Sequence, residues 1–525
     1  MQQNPGGGAT AAEATLLGHP RGLFVLFFAE LWERFCYYGM RALLAFYIAE
    51  QFFGNLSQGE GQSAASASYG GFTALVYALG IFGGSIADRL LGYRRAIVLG
   101  GLFMAAGEFL LMVPKFELGP FGQKEFFFFG LSLLIVGNGL FKPNISSLVG
   151  KLYQQGDPRR DGGFTIFYMG INIGAALAPV FCGMIAYAMG TPAVGEFGQP
   201  GYVPPVPDYR YGFLLAGIGM LLGLVCFGSF TKYLGDKGLP PPGKEGVGPI
   251  LKVVAGGLLV APICYALLKI DASYVGTIIY VAFGVIVAFL LAVAAKEETI
   301  GRQRMFVLVL LLLLNSVFWA GFEQAGNSLN FFAKGQLHPL ALGSWTMPPE
   351  WWQSVNAVLI VALGPVFAAL WVMLDRRGAN PSIPAKFGIG FLGMGVGFVV
   401  LNLGIGGANS AGLVFWYFLF GLYLVHTIGE LCISPVGLSM VTKLAPARMT
   451  GMVMGAWFIS IAAGNFLAGE ISSLAADRAG AVNDALAKVN AYGGVFGYVA
   501  WAGIGLGIAV IVVSKFINRW MHGVK

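Results

Sequence analysis

Charge is scarce in this chain. Only 11% of its 525 residues are Asp, Glu, Lys or Arg, against about 25% in soluble domains. With 57% hydrophobic residues and a mean hydropathy of +0.73, that scarcity excludes a soluble fold and implies an all-α polytopic membrane protein. Cysteine is scarcer still. Cys36, Cys182, Cys226, Cys264 and Cys432 all lie in apolar segments without CxxC or metal-ligand spacing, so they read as small core residues and no metal is expected. Residues 1–19 lack a basic start followed by an apolar run, which argues against a cleavable signal peptide. No nucleophile–base pair is visible. The one Gly-x-Gly-x-x-Gly, Gly388 to Gly393, sits inside an apolar span with no preceding strand and is a chance match to a nucleotide motif.

Long apolar runs and glycine are abundant. Stretches of about 20 apolar residues fall near 21–49, 66–90, 95–114, 124–150, 162–190, 210–230, 249–270, 274–296, 303–333, 350–375, 384–404, 411–441, 449–473 and 492–518, which makes about fourteen spans. Among the 79 glycines, the pairs Gly80/Gly84, Gly170/Gly174 and Gly219/Gly223 have small-xxx-small spacing, which lets membrane helices approach closely. Pro143, Pro179, Pro365 and Pro435 are expected to interrupt their spans.

The net charge of +7 does not imply nucleic-acid binding, because the basic residues are segregated. Of the 32 Lys and Arg, Lys115, Lys124, Lys269, Lys334, Arg478 and Lys488 fall on one side. Arg34, Arg41, Lys142 and Arg210 lie in or near spans, and the other 22 fall on the opposite side. The positive-inside rule then places both termini in the cytoplasm.

The junction Gly84–Arg95, containing Asp88-Arg89 and Gly92-Tyr93-Arg94-Arg95, has a shorter echo in Leu374-Asp375-Arg376-Arg377-Gly378. Asp before Arg at the inner end of a helix can pair with a neighbouring helix terminus. The first copy resembles the inner-loop motif of the major facilitator superfamily. That resemblance implies two six-helix bundles, 21–230 and 302–519, between a 1–20 tail and a 520–525 tail. A Pro/Gly-rich linker at 231–248 and an extra two-helix hairpin at 249–298 separate the bundles.

Ionisable residues inside spans are costly, at roughly 2.5–3.5 kcal/mol for a central Asp, Lys or Arg. Glu30, Glu33, Arg34, Tyr37, Tyr38 and Arg41 share one helical face by i, i+3, i+4 spacing. Lys142, Glu323 and Glu430 lie deep in later spans. Four acids against three bases leave one surplus carboxylate, a natural proton carrier if all seven face one cavity. Glu108, with no polar companions, reads as a helix-packing group. Asn172 and Asn356 are the better candidates for ligand contact among the neighbouring polar residues, which include Tyr77, Tyr168, Trp319, Asn327 and Trp457.

Four segments carry a more specific signal. Glu30-x-x-Glu33-Arg34-Phe35 with Tyr37-Tyr38-Gly39 resembles the first-helix signature of the proton-dependent oligopeptide transporter family. Gly139-Leu140-Phe141-Lys142-Pro143-Asn144, Phe167–Gly174 and Glu430-Leu431-Cys432-Ile433-Ser434-Pro435 resemble its fourth-, fifth- and tenth-helix elements. The resemblance, with two extra helices as in the bacterial branch, implies a proton-coupled symporter of di- and tripeptides. Such a protein works by alternating access in the bacterial cytoplasmic membrane, as a monomer in the lipid bilayer. It is not an enzyme, binds no nucleic acid, and needs no cofactor beyond the proton gradient. By the resemblance, Glu30, Glu33 and Arg34 couple to the proton with Lys142 nearby. Arg41 and Lys142 attract the peptide carboxylate, Glu430 binds its ammonium, and Asn172 and Asn356 bond its backbone. Tyr37, Tyr38, Tyr77, Trp319 and Trp457 line side-chain pockets, Ser434 joins the substrate site, and Glu323 pairs with Arg41 when the outer gate closes. Animal relatives have a second-helix histidine about where Gly70 stands here, so here the carboxylates must carry the proton. His426 is expected to pack or modulate. The alternatives are a same-fold carrier of nitrate or another small solute, a drug/proton antiporter, and, in another class, a membrane-embedded enzyme or peptide receptor.

Overall fold

The computed structural model describes residues 15–118, 121–154, 157–195, 199–269, 272–343 and 345–524. Within these it leaves out the side chains of 118, 272, 342, 434–439, 441, 442, 447 and 450. Among the described residues, fourteen helices of membrane length carry the fold: α1 (Arg21–Phe52), α2 (Gln58–Ile86), α3 (Tyr93–Leu111), α4 (Gln123–Lys151), α5 (Arg160–Ala188), α6 (Tyr209–Phe230), α7 (Gly248–Lys269), α8 (Ala272–Lys296), α9 (Thr299–Phe322), then, beyond the short α10 (Ser328–Gly335), α11 (Trp352–Arg376), α12 (Ile383–Gly406), α13 (Trp416–Leu444), α14 (Thr450–Gly480) and α15 (Ala485–Trp520). Twelve described segments are long and apolar enough to cross a membrane. The charge-bearing α1 and α3 are the remaining two helices of that length.

Several helices outrun their apolar windows. The 32 residues of α1 extend about 48 Å at 1.5 Å per residue, beyond a hydrocarbon core of about 30 Å. Helix α2 starts eight residues before its apolar window because Ser57 and Glu60 form a capping box. Ser57 N donates to Glu60 Oε2 (3.1 Å) and Glu60 N to Ser57 Oγ (3.4 Å), satisfying orphan amides of the first turn.

The expected proline breaks are absent. Helices α4, α5 and α11 run through Pro143, Pro179 and Pro365, and α13 runs through position 435. The carbonyl that Pro143 leaves without its helical donor is Gly139's, and it lies against Gly83, where any side chain would collide with it. The break occurs instead in the predicted 303–333 span. There a 3₁₀ turn, Glu323–Gly326, separates α9 from α10, and Asn327 adopts φ −130°, ψ −97°.

The helices pack into two compact units. The first comprises residues up to Met40, Leu79–Ala186 and Tyr209–Tyr265; the second comprises Arg41–Ala78, Tyr187–Asp208 and everything from Ala266. In the first, α3 and α4 meet on facing glycines. A Cβ at Gly107 would lie 2.6 Å from Gly130 O, and one at Gly130 2.8 Å from Gly107 O. Gly170 and Gly174 bring α5 onto α1 beside Phe27 and Leu31, and Gly219 and Gly223 seat α6 against Phe35 and Trp32. Gly80 and Gly84 do not form such a contact. A Cβ at either would meet no neighbouring helix within 4 Å, and Gly83 between them makes the close approach.

The extra hairpin is shared out between the units. In the first unit Gly257 of α7 abuts Phe103 and Val136, and Ala261 is buried against Leu133 and Val136. In the second, Gly276 of α8 abuts Phe466, and Tyr280 donates to Glu470 Oε2 at 2.7 Å. The inner-loop motif has a different partner from the expected helix terminus. Asp88 accepts from the Tyr93 hydroxyl. Arg94 donates to the carbonyls of Gly235 and Lys237 (2.7 Å to the latter), and Arg95 to those of Lys244 (3.2 Å), Glu245 and Gly246 (3.0 Å). The linker is thereby fastened to the start of α3.

Candidate functional site

In the first unit, α1 presents a closed charge cluster. Arg34 donates to Glu33 through Nε and through Nη2 (2.7 Å to Oε1), and its Nε lies 3.2 Å from Glu30 Oε1. All three are at most 2% exposed. The spacing that puts them on one face also lets one guanidinium meet two carboxylates, and a bidentate pairing holds both partners in one plane. The Arg34 guanidinium carbon lies 5.4 Å from the Tyr37 ring centroid and 6.0 Å from that of Tyr38. Gly174 of α5 lies against the Leu31 carbonyl and the Arg34 side chain, so α5 walls the cluster closely. Lys142, half-buried on α4, is within electrostatic reach of Glu30, Glu33, Arg34 and Tyr38. The structure thus brings Glu30, Glu33, Arg34 and Lys142 together.

Asn138, one turn before Lys142 on α4, was not singled out from the sequence. Its amide donates to Glu33 Oε1 at 3.0 Å, and the residue is buried. It sits in the apolar, glycine-rich run Ile135-Val136-Gly137-Asn138-Gly139; a polar residue in such a run, one turn from the lysine, was the available signal. Asn172 on α5 is buried and donates to Tyr168 O of its own helix at 2.9 Å. Glu108 lies on α3. It is fully buried, and the Cys36 thiol donates to its Oε1 at 3.4 Å.

In the second unit, Arg41 pairs with Glu323 at the α9 break and donates through Nε to the Tyr69 hydroxyl. Arg41 and Glu323 are both buried. Gly326 makes the approach possible, because a side chain there would strike Tyr69 and the Arg41 guanidinium. The broken backbone is held by side chains. Ser66 donates to Asn327 Oδ1 (2.8 Å), Asn327 Nδ2 to Ser66 O (3.2 Å), and Ser472 to Gln324 Oε1 (2.9 Å). Gly70 lies Cα to Cα against Gly469, so an added Cβ would come within 2.9 Å of that backbone. A histidine at position 70 would not fit this packing.

Further along, Asn356 of α11 donates to Glu430 Oε2 (2.9 Å) and Thr427 Oγ1 (3.0 Å) of α13. Both Asn356 and Glu430 were sequence candidates, and the structure joins them directly. Trp319 donates to Asn315 Oδ1 (3.0 Å), Asn315 to Ser460 Oγ (2.8 Å), and Ser460 to Trp457 O (2.7 Å), so the two candidate tryptophans share one polar chain. Tyr77 is half-buried on α2. The Ser434 side chain lies outside the described residues. His426 is buried, bonded to Met394 O at 3.0 Å, with its ring 5.0 Å from that of Phe398. Among the described residues no group of three His, Cys, Asp or Glu could hold a metal ion.

Comparison with known proteins adds four findings. The sequence model described as "PTR2: POT family" matches residues 94–488. The uncharacterized transporter YclF of Bacillus subtilis is 36% identical over 520 residues, covering 97% of this chain and 96% of the relative. Dipeptide and tripeptide permease B of Edwardsiella piscicida is 33% identical over 509 residues, with 97% of both covered. Among solved structures, a mutant of the peptide transporter POT in complex with alafosfalin superposes with a TM-score of 0.79 at 34% identity, over 98% of each chain.

Proposed function

The chain belongs to the POT family and has its multi-pass major facilitator fold, and on that premise we propose that it imports di- and tripeptides in symport with protons. The observation that carries the reading is the buried Glu30–Arg34–Glu33 cluster. Placing three ionised groups within one membrane helix is unfavourable unless they hold or pass charge. The permease relative, named for dipeptides and tripeptides, supports the substrate class.

The peptide is a zwitterion about 7 Å long as a dipeptide and about 10 Å as a tripeptide, at roughly 3.3–3.6 Å per residue. Arg41 and Lys142 attract its carboxylate. Glu430, steadied by Asn356, receives its ammonium. Asn172 and Asn356 bond its backbone, with Ser434 nearby. Tyr37, Tyr38, Tyr77, Trp319 and Trp457 accept varied side chains. Glu30, Glu33 and Arg34 couple transport to the proton, with Lys142 nearby, and the Arg41–Glu323 pair closes the outer gate. The bundles 21–230 and 302–519, separated in sequence by the 249–298 hairpin, give the peptide alternating access to the two sides of the membrane. The protein acts as a monomer in a bacterial cytoplasmic membrane with both termini inside, driven by the proton gradient without a cofactor.

The test is acid-gradient-driven uptake of labelled dialanine by the purified protein in liposomes. Accumulation abolished by a protonophore is expected. No uptake, or uptake competed by nitrate but not by peptides, would sink the reading, and dye counterflow would favour an antiporter.

A further inference from the structure

The two carboxylates beside Arg34 are not equivalently held. Glu33 receives both guanidinium donors and the Asn138 amide, the last at 3.0 Å from Oε1. Glu30 receives one contact, 3.2 Å from Arg34 Nε to Oε1. Its Oε2 is buried with no hydrogen-bond partner among the described residues. The charged groups within electrostatic reach of Glu30 are Arg34 and Glu33 on its own helix and Lys142 on α4. Hydrogen bonds to a charged acceptor are among the strong ones, and a proton arriving at an acceptor with three donors would have to displace one of them. A buried oxygen without a donor is where a proton is accommodated without displacing a bond.

We infer that Asn138 is a positioning residue for the proton-coupling step. With Arg34 it fixes Glu33 as a standing ion pair and leaves Glu30 as the carboxylate whose charge changes during transport. Asn138 touches neither peptide nor the moving proton; it acts through Glu33. The inference rests on the proton-coupled reading above and adds a division of labour within it. The proton simply adds to Glu30 Oε2 from the water-filled side and leaves to the other, so no further reactant is needed.

The experiment uses the full-length protein in liposomes and measures two rates for each variant: acid-driven accumulation of dialanine, and dialanine counterflow without a proton gradient. Asn138→Leu removes the donor while nearly conserving shape. Accumulation is expected to fall at least tenfold, with counterflow within about twofold of the wild type. On a Glu33→Gln background, where the acceptor's charge is already gone and counterflow is the rate that remains, Asn138→Leu is expected to add no further loss. Asn138→Gln, which keeps an amide donor, should recover most of the accumulation. Three results would overturn the inference: accumulation by Asn138→Leu equal to the wild type, an equal fall in accumulation and counterflow (including failure to insert), or a further loss on the Glu33→Gln background. The wild-type uptake measured alongside decides the transport reading separately.

Discussion

The first helix carries two buried arginines that are partnered in opposite ways. Arg34 finds Glu30 and Glu33 within four residues of itself, so its neutralisation survives any rearrangement that keeps α1 helical. Arg41 finds Glu323, 282 positions away, at the mouth of a broken helix, so its neutralisation exists only while that packing does. A local cluster can store charge through a conformational cycle. A distant pair can only report, or enforce, one stage of it.

That contrast can be broken in graded ways. The largest effect is expected from Arg34→Met, which strands two buried carboxylates. Removing one partner of a buried pair costs about 3–5 kcal/mol, so thermal unfolding in detergent should drop sharply and proton-driven uptake should vanish. Next comes a pair of charge exchanges. Arg41→Glu with Glu323→Arg should recover much of the uptake that either single change removes, because a distant pair needs only complementarity. Glu33→Arg with Arg34→Glu should recover none, because Glu30 would then have a carboxylate in place of its i+4 arginine; equal rescue in both would erase the distinction. Glu33→Gln should abolish accumulation while leaving peptide exchange, and full acid-driven uptake by that variant would remove Glu33 from the coupling step. Glu430→Gln should weaken free-amine peptides about 10–100-fold, the size of a lost charge-assisted hydrogen bond of ~1.5–3 kcal/mol, and N-acetylated peptides far less; competition binding with both classes checks it. The smallest effect belongs to Tyr69→Phe, which removes one donor–acceptor contact to Arg41. A loss of about 1 kcal/mol, read as about one degree in unfolding temperature, is expected with transport largely intact.

The local cluster was legible because helical spacing alone sets Glu30, Glu33 and Arg34 on one face. The distant pair entered only through family resemblance, since nothing in a sequence brings positions 41 and 323 together. Tyr69 and Asn138 escaped notice for a related reason: a single hydroxyl or amide in an apolar run has meaning only through its partner. Prolines misled, because α4, α5 and α11 absorb theirs while the true break at Glu323–Asn327 contains none. There Gly326 and a set of Ser, Asn and Gln side chains replace the lost ladder bonds, as membrane helices require. Apolar windows also underestimated α2, α14 and α15, whose ends continue into polar sequence that propensity and capping still support.

The anchoring of the linker by Arg94 and Arg95 sets a rule for how this stretch can vary. Both guanidinium groups grip main-chain oxygens, and every residue type supplies one. Substitutions between Gly235 and Gly246 should therefore drift freely wherever no special turn is needed. An insertion or deletion between Lys237 and Lys244 would put the two carbonyls held by Arg94 out of register with the three held by Arg95. The arginines measure length and are indifferent to spelling.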